Sequence, residues 1–426
     1  MQATVRHAAR LRGSITPPGD KSISHRAAIF NAIADGEARI ENYGPGADCL
    51  STLRIMRALG AGIETDGTSV VVRGGLPTEP GDVLDAGNSG TTMRLVSGVL
   101  AGAPFMSVLT GDASLRSRPM GRIVEPLRLM GARVEARQGG TLAPLVFGGG
   151  ALRGIRYRMP VASAQLKSCL LLAGLFADGE TVLEQPALSR DHTELMFRAM
   201  GAEVVEDGLT VSVKPGRLTP VDVVVPADIS SAAYWLVAAV CHPDAEVVVR
   251  GVGVNPSRTG VLDALQAMGA DIRIENRRSE GGEPVADLTA RSSKLEATEI
   301  GGDMIPRLVD EVPVLALAAC FAKGTTHIKD AAELRLKESD RLRVTNRELT
   351  RLGAHIEETA DGLRITGGKK LSGAACRSAN DHRMAMTLGV AGLLASGKTT
   401  VSSAESASVS YPTFWDDLDA LAGAGA

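Results

Sequence analysis

The chain has 426 residues, 44% hydrophobic and 22% charged, with a formal net charge of −3. That balance fits a soluble globular protein of two or three domains, each large enough for a core. It excludes a global basic field for nucleic acid, and an aromatic content of 3% leaves few stacking platforms for bases.

At the N-terminus, "MQATVRHAARLRG" lacks the apolar core of a signal peptide, and no later run is long enough to span a membrane. The start therefore reads as mature protein. "PPGDKSISHRAAIFNAI" opens the first helix near Ser22, with Asp20 or Ser22 as its cap and Lys21, Ser22 and Arg26 around its first turn. The helix runs through a small-residue turn at Gly36 into the β-rich "EARIENY". "RALGAGIETDGTSVVV" then shows a second pattern, an amphipathic helix ending at Leu-Gly-Ala and followed by a strand or hairpin.

Both patterns recur in order. The first has its turn at Gly36, Gly102, Gly179, Asp244, Gly324 and Gly397. The second returns as "RLMGARVEAR", "RAMGAEVVEDGLTVSV", "QAMGADIRIEN" and "TRLGAHIEETADGLRI", and "YPTFWDDLDALAGAGA" carries the same ending into residues 424–426. Glycine ends helices in any α/β protein. Two interleaved signatures in fixed order imply more: six strand–helix–strand–helix–strand units, divided three and three between two domains.

Charged residues gather at the starts of the helices. "DAGNSGTTMRLVSGVL" sets Gly87, Ser89, Gly90 and Thr91 ahead of Arg94, and "GDASLRSRPMGRIVEPL" sets Arg116, Arg118 and Arg122 around a Pro/Gly turn. "PVASAQLKSCLLLAGL" puts Ser163, Gln165 and Lys167 at a helix head. "DMIPRLVDEVPVLALAACFA" puts Asp310 and Glu311 before a helix apolar enough to be buried, where a carboxylate is either an acid–base group or a first-turn cap. "LRLKESDRLRVTNREL" gives Ser339 as cap with Asp340 and Arg341 following, and "SANDHRMAMTLGVAG" gives Asp381 as cap with Arg383 just inside. A cation in the first turn opposes the helix dipole. Four such placements imply an anion bound there, held by amides, dipole and Lys/Arg together; the alternative is solvated or internally paired charge. A small polyanion, phosphorylated and carboxylated, fits that many cations around one or two carboxylates.

"GLLASGKTT" at 392–400 matches the phosphate-loop pattern G-x-x-x-x-G-K-[ST]. The order around it is reversed, with a helix before and a short β-branched run after, so Gly397 reads as a C′ glycine and Lys398 as a turn residue. Equivalent turns carry Glu37, Glu180 and Thr325. The five cysteines form no C-x-x-C pair and the seven histidines no metal cluster, which points to a reducing cytoplasm and no structural metal.

The segments "GDKSISHR", "GNSGTTMRL", "RPMGR", "SAQLKS", "RLVDEVPVLA", "LRLKESDRL" and "NDHRMAM" resemble, in order and over nearly the whole chain, those of the 5-enolpyruvylshikimate-3-phosphate synthase family. The resemblance implies an α/β fold, a two-domain inside-out α/β barrel of six βαβαββ repeats, with helices inside and sheets outside. One domain would be 1–14 plus 229–426 and the other 20–224, with crossovers near 13–19 and 224–229. The implied reaction moves the enolpyruvyl group of phosphoenolpyruvate to the 5-hydroxyl of shikimate 3-phosphate through a tetrahedral intermediate, on the route to chorismate and the aromatic amino acids. Matching positions assign shikimate 3-phosphate to Lys21, Ser22, Arg26, Ser163, Ala164, Gln165, Asp310 and Lys337. Phosphoenolpyruvate falls to Lys21, Gly90, Arg118, Gln165, Arg341 and Arg383. Asp310 would accept the hydroxyl proton and Glu338 would serve the methylene carbon, with Lys21 completing the catalytic set.

No cofactor or metal is expected, since Lys and Arg supply the countercharge; nor is a nucleic-acid or membrane partner. The expected state is a cytoplasmic monomer. "SAQLK", "RDHTE" (190–194) and Leu95 after Arg94 resemble the subclass often tolerant of the inhibitor glyphosate, although Gly90 is retained. Many members carry a lysine just ahead of the C-terminal "T-F-P" motif, where Val409 precedes "SYP" here. The transferase acting on UDP-N-acetylglucosamine shares the fold but works with a loop cysteine, which "TGDASLRSRPMGR" lacks.

Overall fold

The structure, a computed structural model, describes residues 1–423; the end of the last small-residue signature, 424–426, lies outside the described residues. The most apolar stretches become helices without a solvent face, as expected of helices apolar all round. Ile229–Cys241, Val312–Phe321 and His382–Leu394 pack on one another with nearly every residue buried. Elsewhere, Gly90–Gly102 lies against both Lys21–Ile33 and Ala164–Leu175 in the same way. The approach is close at Gly98, where a Cβ would come within 2.3 Å of the Cys169 carbonyl oxygen, so no larger residue fits without moving a helix.

Helices of the second pattern are half-buried and stop as the sequence predicts. At Gly60, Gly131, Gly201, Gly269 and Gly353 the backbone has φ between +82° and +98°. The glycine amide and the alanine amide after it donate back to the last turn, as in Gly60 to Arg57 O and Ala61 to Met56 O, both 3.0 Å. This left-handed closure removes orphan carbonyls and turns the chain into the next strand.

Apart from the two-stranded parallel pair of Leu152–Arg153 and Ala177–Asp178, the sheets are built on one connectivity. In the sheet around Gly36–Glu41, a parallel neighbour (Val223–Val224) lies on one side and an antiparallel strand (Ser69–Gly74) on the other, which pairs in turn with Gly62–Asp66. The same parallel–antiparallel–antiparallel order holds around Met106–Thr110, Thr181–Glu184 and Thr325–Ile328. Around Ala245–Gly253, Leu11–Ile15 supplies the parallel strand, and Lys398–Ser402 takes Ala375–Arg377 parallel and Gln2–Arg6 antiparallel.

The chain forms two compact units. The terminal unit comprises Met1–Pro18, Pro226–Ser279 and Pro284–Ala426; the central unit comprises Gly19–Val225 and Glu280–Glu283. Nothing in the sequence signals that the 280–283 turn groups with the central unit. Each unit has its own apolar core. Among the described residues no helix is long and apolar enough to cross a membrane. Cys169 and Cys320 are buried, and burial pushes the Cys320 thiol up to about 12, so these are packing groups.

Two local expectations need correction. Gly397 is not a C′ residue: the helix ends at Leu394, Ala395 is already extended, and Gly397 (φ +87°) belongs to the turn into Lys398–Ser402. Gly102 is still helical and gives room for Phe176, whose Cβ would lie 2.5 Å from an added Cβ. The helix-then-strand order around "GLLASGKTT" stands, and it faces helix amides away from Gly397. Lys398→Ala is expected to shift stability by less than about 0.5 kcal/mol, as at other exposed positions. ATP should give no binding heat in calorimetry, and an ATP affinity abolished by that substitution would restore the phosphate-loop reading.

Candidate active site

In the central unit, three buried helices begin with the residues picked out in the sequence. Asp20 caps the first, accepting from Ile23 N at 2.9 Å, which decides between Asp20 and Ser22. Ser89 caps the second and Ser163 the third. Lys21 at the first helical position reaches Asp48 at 3.2 Å. Arg26 is buried, with Nε donating to Thr193 Oγ1 (2.8 Å), Nη1 to Ser22 O (2.9 Å) and Nη2 to Ser168 Oγ (2.7 Å). Burial lowers its pKa to about 10, against the opposing carboxylates of Glu194 and Asp20.

Gln165 bridges two helix starts, accepting from Arg94 Nη1 at 2.7 Å and donating to Thr91 Oγ1 at 2.9 Å. Arg118 donates to Asn88 Oδ1 at 2.5 Å, and Asn88 in turn donates to Asp112 at 2.7 Å. Gly90 lies between the two guanidinium groups: an added Cβ would meet Arg94 Nη1 at 2.8 Å and Arg118 Nη1 at 3.5 Å. Lys21, Ser22 and Arg26 thus share one helix start, while Gly90, Arg118, Gln165 and the helix cap Ser163 stand around the next two. Ala164 offers only its backbone at the first turn of its helix.

In the terminal unit one guanidinium organises the site. Arg341, 2% exposed, donates from Nε to Asp381 Oδ2 (2.9 Å), from Nη1 to Asp310 Oδ1 (3.2 Å) and from Nη2 to Glu338 Oε2 (2.6 Å). Burial alone would disfavour its charge, but Asp381, Glu338 and Asp310 outweigh that and raise its pKa. Asp310 and Glu338 are thereby tied to the same cation. Asp381 caps its helix through Arg383 N (2.9 Å) and also accepts from Ser339 Oγ (3.0 Å). Ser339 is therefore not the cap predicted for the Arg341 helix; Asp340 is, accepting from Arg343 N at 3.1 Å. Arg383 is buried as well. Burial works against its charge too, yet Tyr234, Asp310, Glu311 and Asp228 hold its pKa well above the usual range. Lys337, half-buried, reaches Glu333 at 3.5 Å.

The sequence reading named Asp310, Glu338 and Asp381 but not their shared pairing with Arg341, and it missed the partner of Lys21. Asp48 gave no local signal, being an ordinary acid within an amphipathic helix, and Glu194 entered only as the end of "RDHTE", with no partner assigned to it. A buried network of Asp228, Ser230, Arg258 and Glu311 also escaped notice: Arg258 Nη2 donates to Ser230 Oγ at 2.8 Å and to Asp228 at 3.2 Å, and Ser230 Oγ donates to Glu311. This separates Glu311 from Asp310, which faces Arg341 instead. Val409, half-buried in the 404–409 turn, has no charge to offer an anion.

His25 is buried behind Lys21 and Arg26. Its Nδ1 meets Thr52 Oγ1 at 2.7 Å, and Thr52 meets Thr92 Oγ1 at 2.7 Å. Burial first, then Lys21 and Arg26, depress its pKa well below the usual value. Folded His25 therefore stays neutral, while unfolded His25 takes a proton below about pH 6.5. The unfolded state then binds more protons, so stability falls as pH drops below that value, by up to about 1.4 kcal/mol per unit for one group. His25→Gln should flatten the fall in stability between pH 6.5 and 5, measured by denaturant unfolding; an unchanged slope would contradict neutral burial.

The family model for EPSP synthase (3-phosphoshikimate 1-carboxyvinyltransferase) matches residues 5–418. A 3-phosphoshikimate 1-carboxyvinyltransferase of Gloeobacter violaceus is 60% identical over 417 residues, 96% of each chain. The solved EPSP synthase from Acinetobacter baumannii superposes with a TM-score of 0.88 at 43% identity, covering 99% of this chain and 98% of that one. The enolpyruvyl transferase NikO from Streptomyces tendae shares the fold, with a TM-score of 0.79 at 22% identity over 98% of this chain and 96% of its own.

Proposed function

This chain belongs to the EPSP synthase family and carries out its carboxyvinyl transfer in the shikimate pathway, and we propose that the two sets of helix starts described above carry the reaction. Phosphoenolpyruvate gives its enolpyruvyl group to the 5-hydroxyl of shikimate 3-phosphate, and phosphate leaves. The observation that carries the residue assignment is Arg341 bound to both Asp310 and Glu338.

The chemistry needs one group to take the hydroxyl proton and another to protonate C3 of phosphoenolpyruvate, which makes C2 electrophilic. In this reading Asp310 is the base and Glu338 the proton donor and later acceptor. Both carboxylates accept a hydrogen bond from the one guanidinium of Arg341. Glu338 gives its proton to C3 and takes one back from the resulting methyl group when the intermediate breaks down, while the hydroxyl proton taken by Asp310 leaves with the phosphate. Lys21, Gly90, Arg118, Gln165, Arg341 and Arg383 hold phosphoenolpyruvate. Lys21, Ser22, Arg26, Ser163, Ala164, Gln165, Asp310 and Lys337 hold shikimate 3-phosphate. The cations then stabilise the charge of the tetrahedral intermediate and the departing phosphate.

The shared sheet connectivity supports six βαβαββ repeats arranged as an inside-out barrel, three per domain, with domains 1–14 plus 229–426 and 20–224. The working protein is a cytoplasmic monomer without metal or cofactor. Asp310→Asn and Glu338→Gln should each lower kcat by about a hundredfold or more, the usual scale for acid–base groups. Phosphate release at saturating substrates checks this with unfolding curves alongside; near-normal turnover in both variants would overturn the assignment.

Sensitivity to glyphosate is reduced in this reading. "SAQLK" and "RDHTE" resemble the tolerant subclass, and Leu95 follows Arg94 on the helix that opens at Gly90. The inhibitor is longer than phosphoenolpyruvate, so a small shift of that helix start excludes it while sparing the substrate. Competition against phosphoenolpyruvate at fixed shikimate 3-phosphate should give an inhibition constant no smaller than the KM for phosphoenolpyruvate. A constant far below that KM would place the chain with the sensitive members.

A further inference from the structure

Two of the motifs set apart by the sequence meet through their last residues. Lys167 ends "SAQLK" and Glu194 ends "RDHTE", and Lys167 Nζ lies 2.5 Å from Glu194 Oε1 with the side chains 1% and 0% exposed. Lys167 Nζ also donates to Ser189 O at 3.2 Å. On either side of this pair, Ser168 and Thr193 share a hydrogen bond of 2.6 Å and both accept from Arg26. The Ala164 helix, the His192 helix and the Lys21 helix are thus fastened at one buried point.

A buried ion pair is weak support for stability, because two charges lose their water and apolar residues of similar volume often serve as well. Burial lowers the Lys167 pKa, with Glu194 the chief opposing influence. The same carboxylate is the strongest influence keeping Arg26 charged. Lys167 stands one turn beyond Ser163, and its amide donates to Ser163 O at 3.0 Å, so fixing Lys167 fixes the cap and first turn of its helix.

We propose that Lys167 and Glu194 are a positioning pair for the shikimate 3-phosphate subsite, acting through Ser163, Ala164 and Gln165 on one side and through Arg26 on the other. The inference rests on the assignment of those residues to shikimate 3-phosphate. Neither Lys167 nor Glu194 touches the substrate. They set the helix head and the guanidinium in register before it binds, and a register error there weakens ground-state and transition-state binding alike.

The test is steady-state phosphate release by the full chain, with shikimate 3-phosphate and phosphoenolpyruvate varied separately. Glu194→Gln should raise the KM for shikimate 3-phosphate by about tenfold or more, with kcat changed by less than about threefold. The double variant Lys167→Met/Glu194→Leu removes both charges and keeps the volume. It should melt near the parent temperature and still show the raised KM for shikimate 3-phosphate. A double variant with parental KM would reduce the pair to packing and overturn the proposal, as would Glu194→Gln with parental KM. Parent chain that releases no phosphate from the two substrates would instead remove the functional reading beneath it.

Discussion

A guanidinium buried at the start of a helix faces two penalties at once, lost hydration and the positive end of the helix dipole. Arg341 meets both, at the first position of its helix and 2% exposed. Three carboxylates answer it, and two of them are the groups proposed to move protons. The remainder of the terminal unit's site follows from this. Asp381 serves Arg341, caps the next helix and receives Ser339, so one residue fixes two helix starts relative to each other. The central unit solves the same problem with Asp48 for Lys21 and with two hydroxyls and one carbonyl for Arg26.

This arrangement changes how the misplaced cations are understood. From the sequence they implied a waiting anion, with internal pairing as the alternative. The structure contains the internal pairs, and the two readings are compatible. Carboxylates orient the cations, and a phosphate or carboxylate ligand would offer the same geometry with more charge-assisted bonds. A site built in this way is preorganised, since its donors are fixed before the charge they stabilise develops.

Much of the scaffold was legible because local chemistry forced it. Each Leu/Met-Gly-Ala ending within the described residues demands a left-handed glycine, and each strand pair follows a recurrent signature. The helix heads carrying Lys21, Gly90, Ser163 and Arg383 were legible for the same reason. What stayed hidden depends on distance along the chain. Asp48 is 27 residues from Lys21, Glu194 is 27 from Lys167, and Asp381 is 40 from Arg341. Such partners are acids like any other until the fold brings them together. The Ser339 cap failed because Asp340, one residue later, has the shorter reach to the free amide of Arg343, which leaves the serine hydroxyl for Asp381.

The central claim is that these helix heads form a preorganised site for a phosphorylated substrate. Calorimetric titration with shikimate 3-phosphate and with shikimate, at one salt concentration, tests it most directly. The account predicts that the phosphorylated ligand binds and that its loss of phosphate weakens binding by about a hundredfold, the scale of one or two charge-assisted hydrogen bonds. Equal affinity for the two ligands, or no binding of shikimate 3-phosphate, would contradict it.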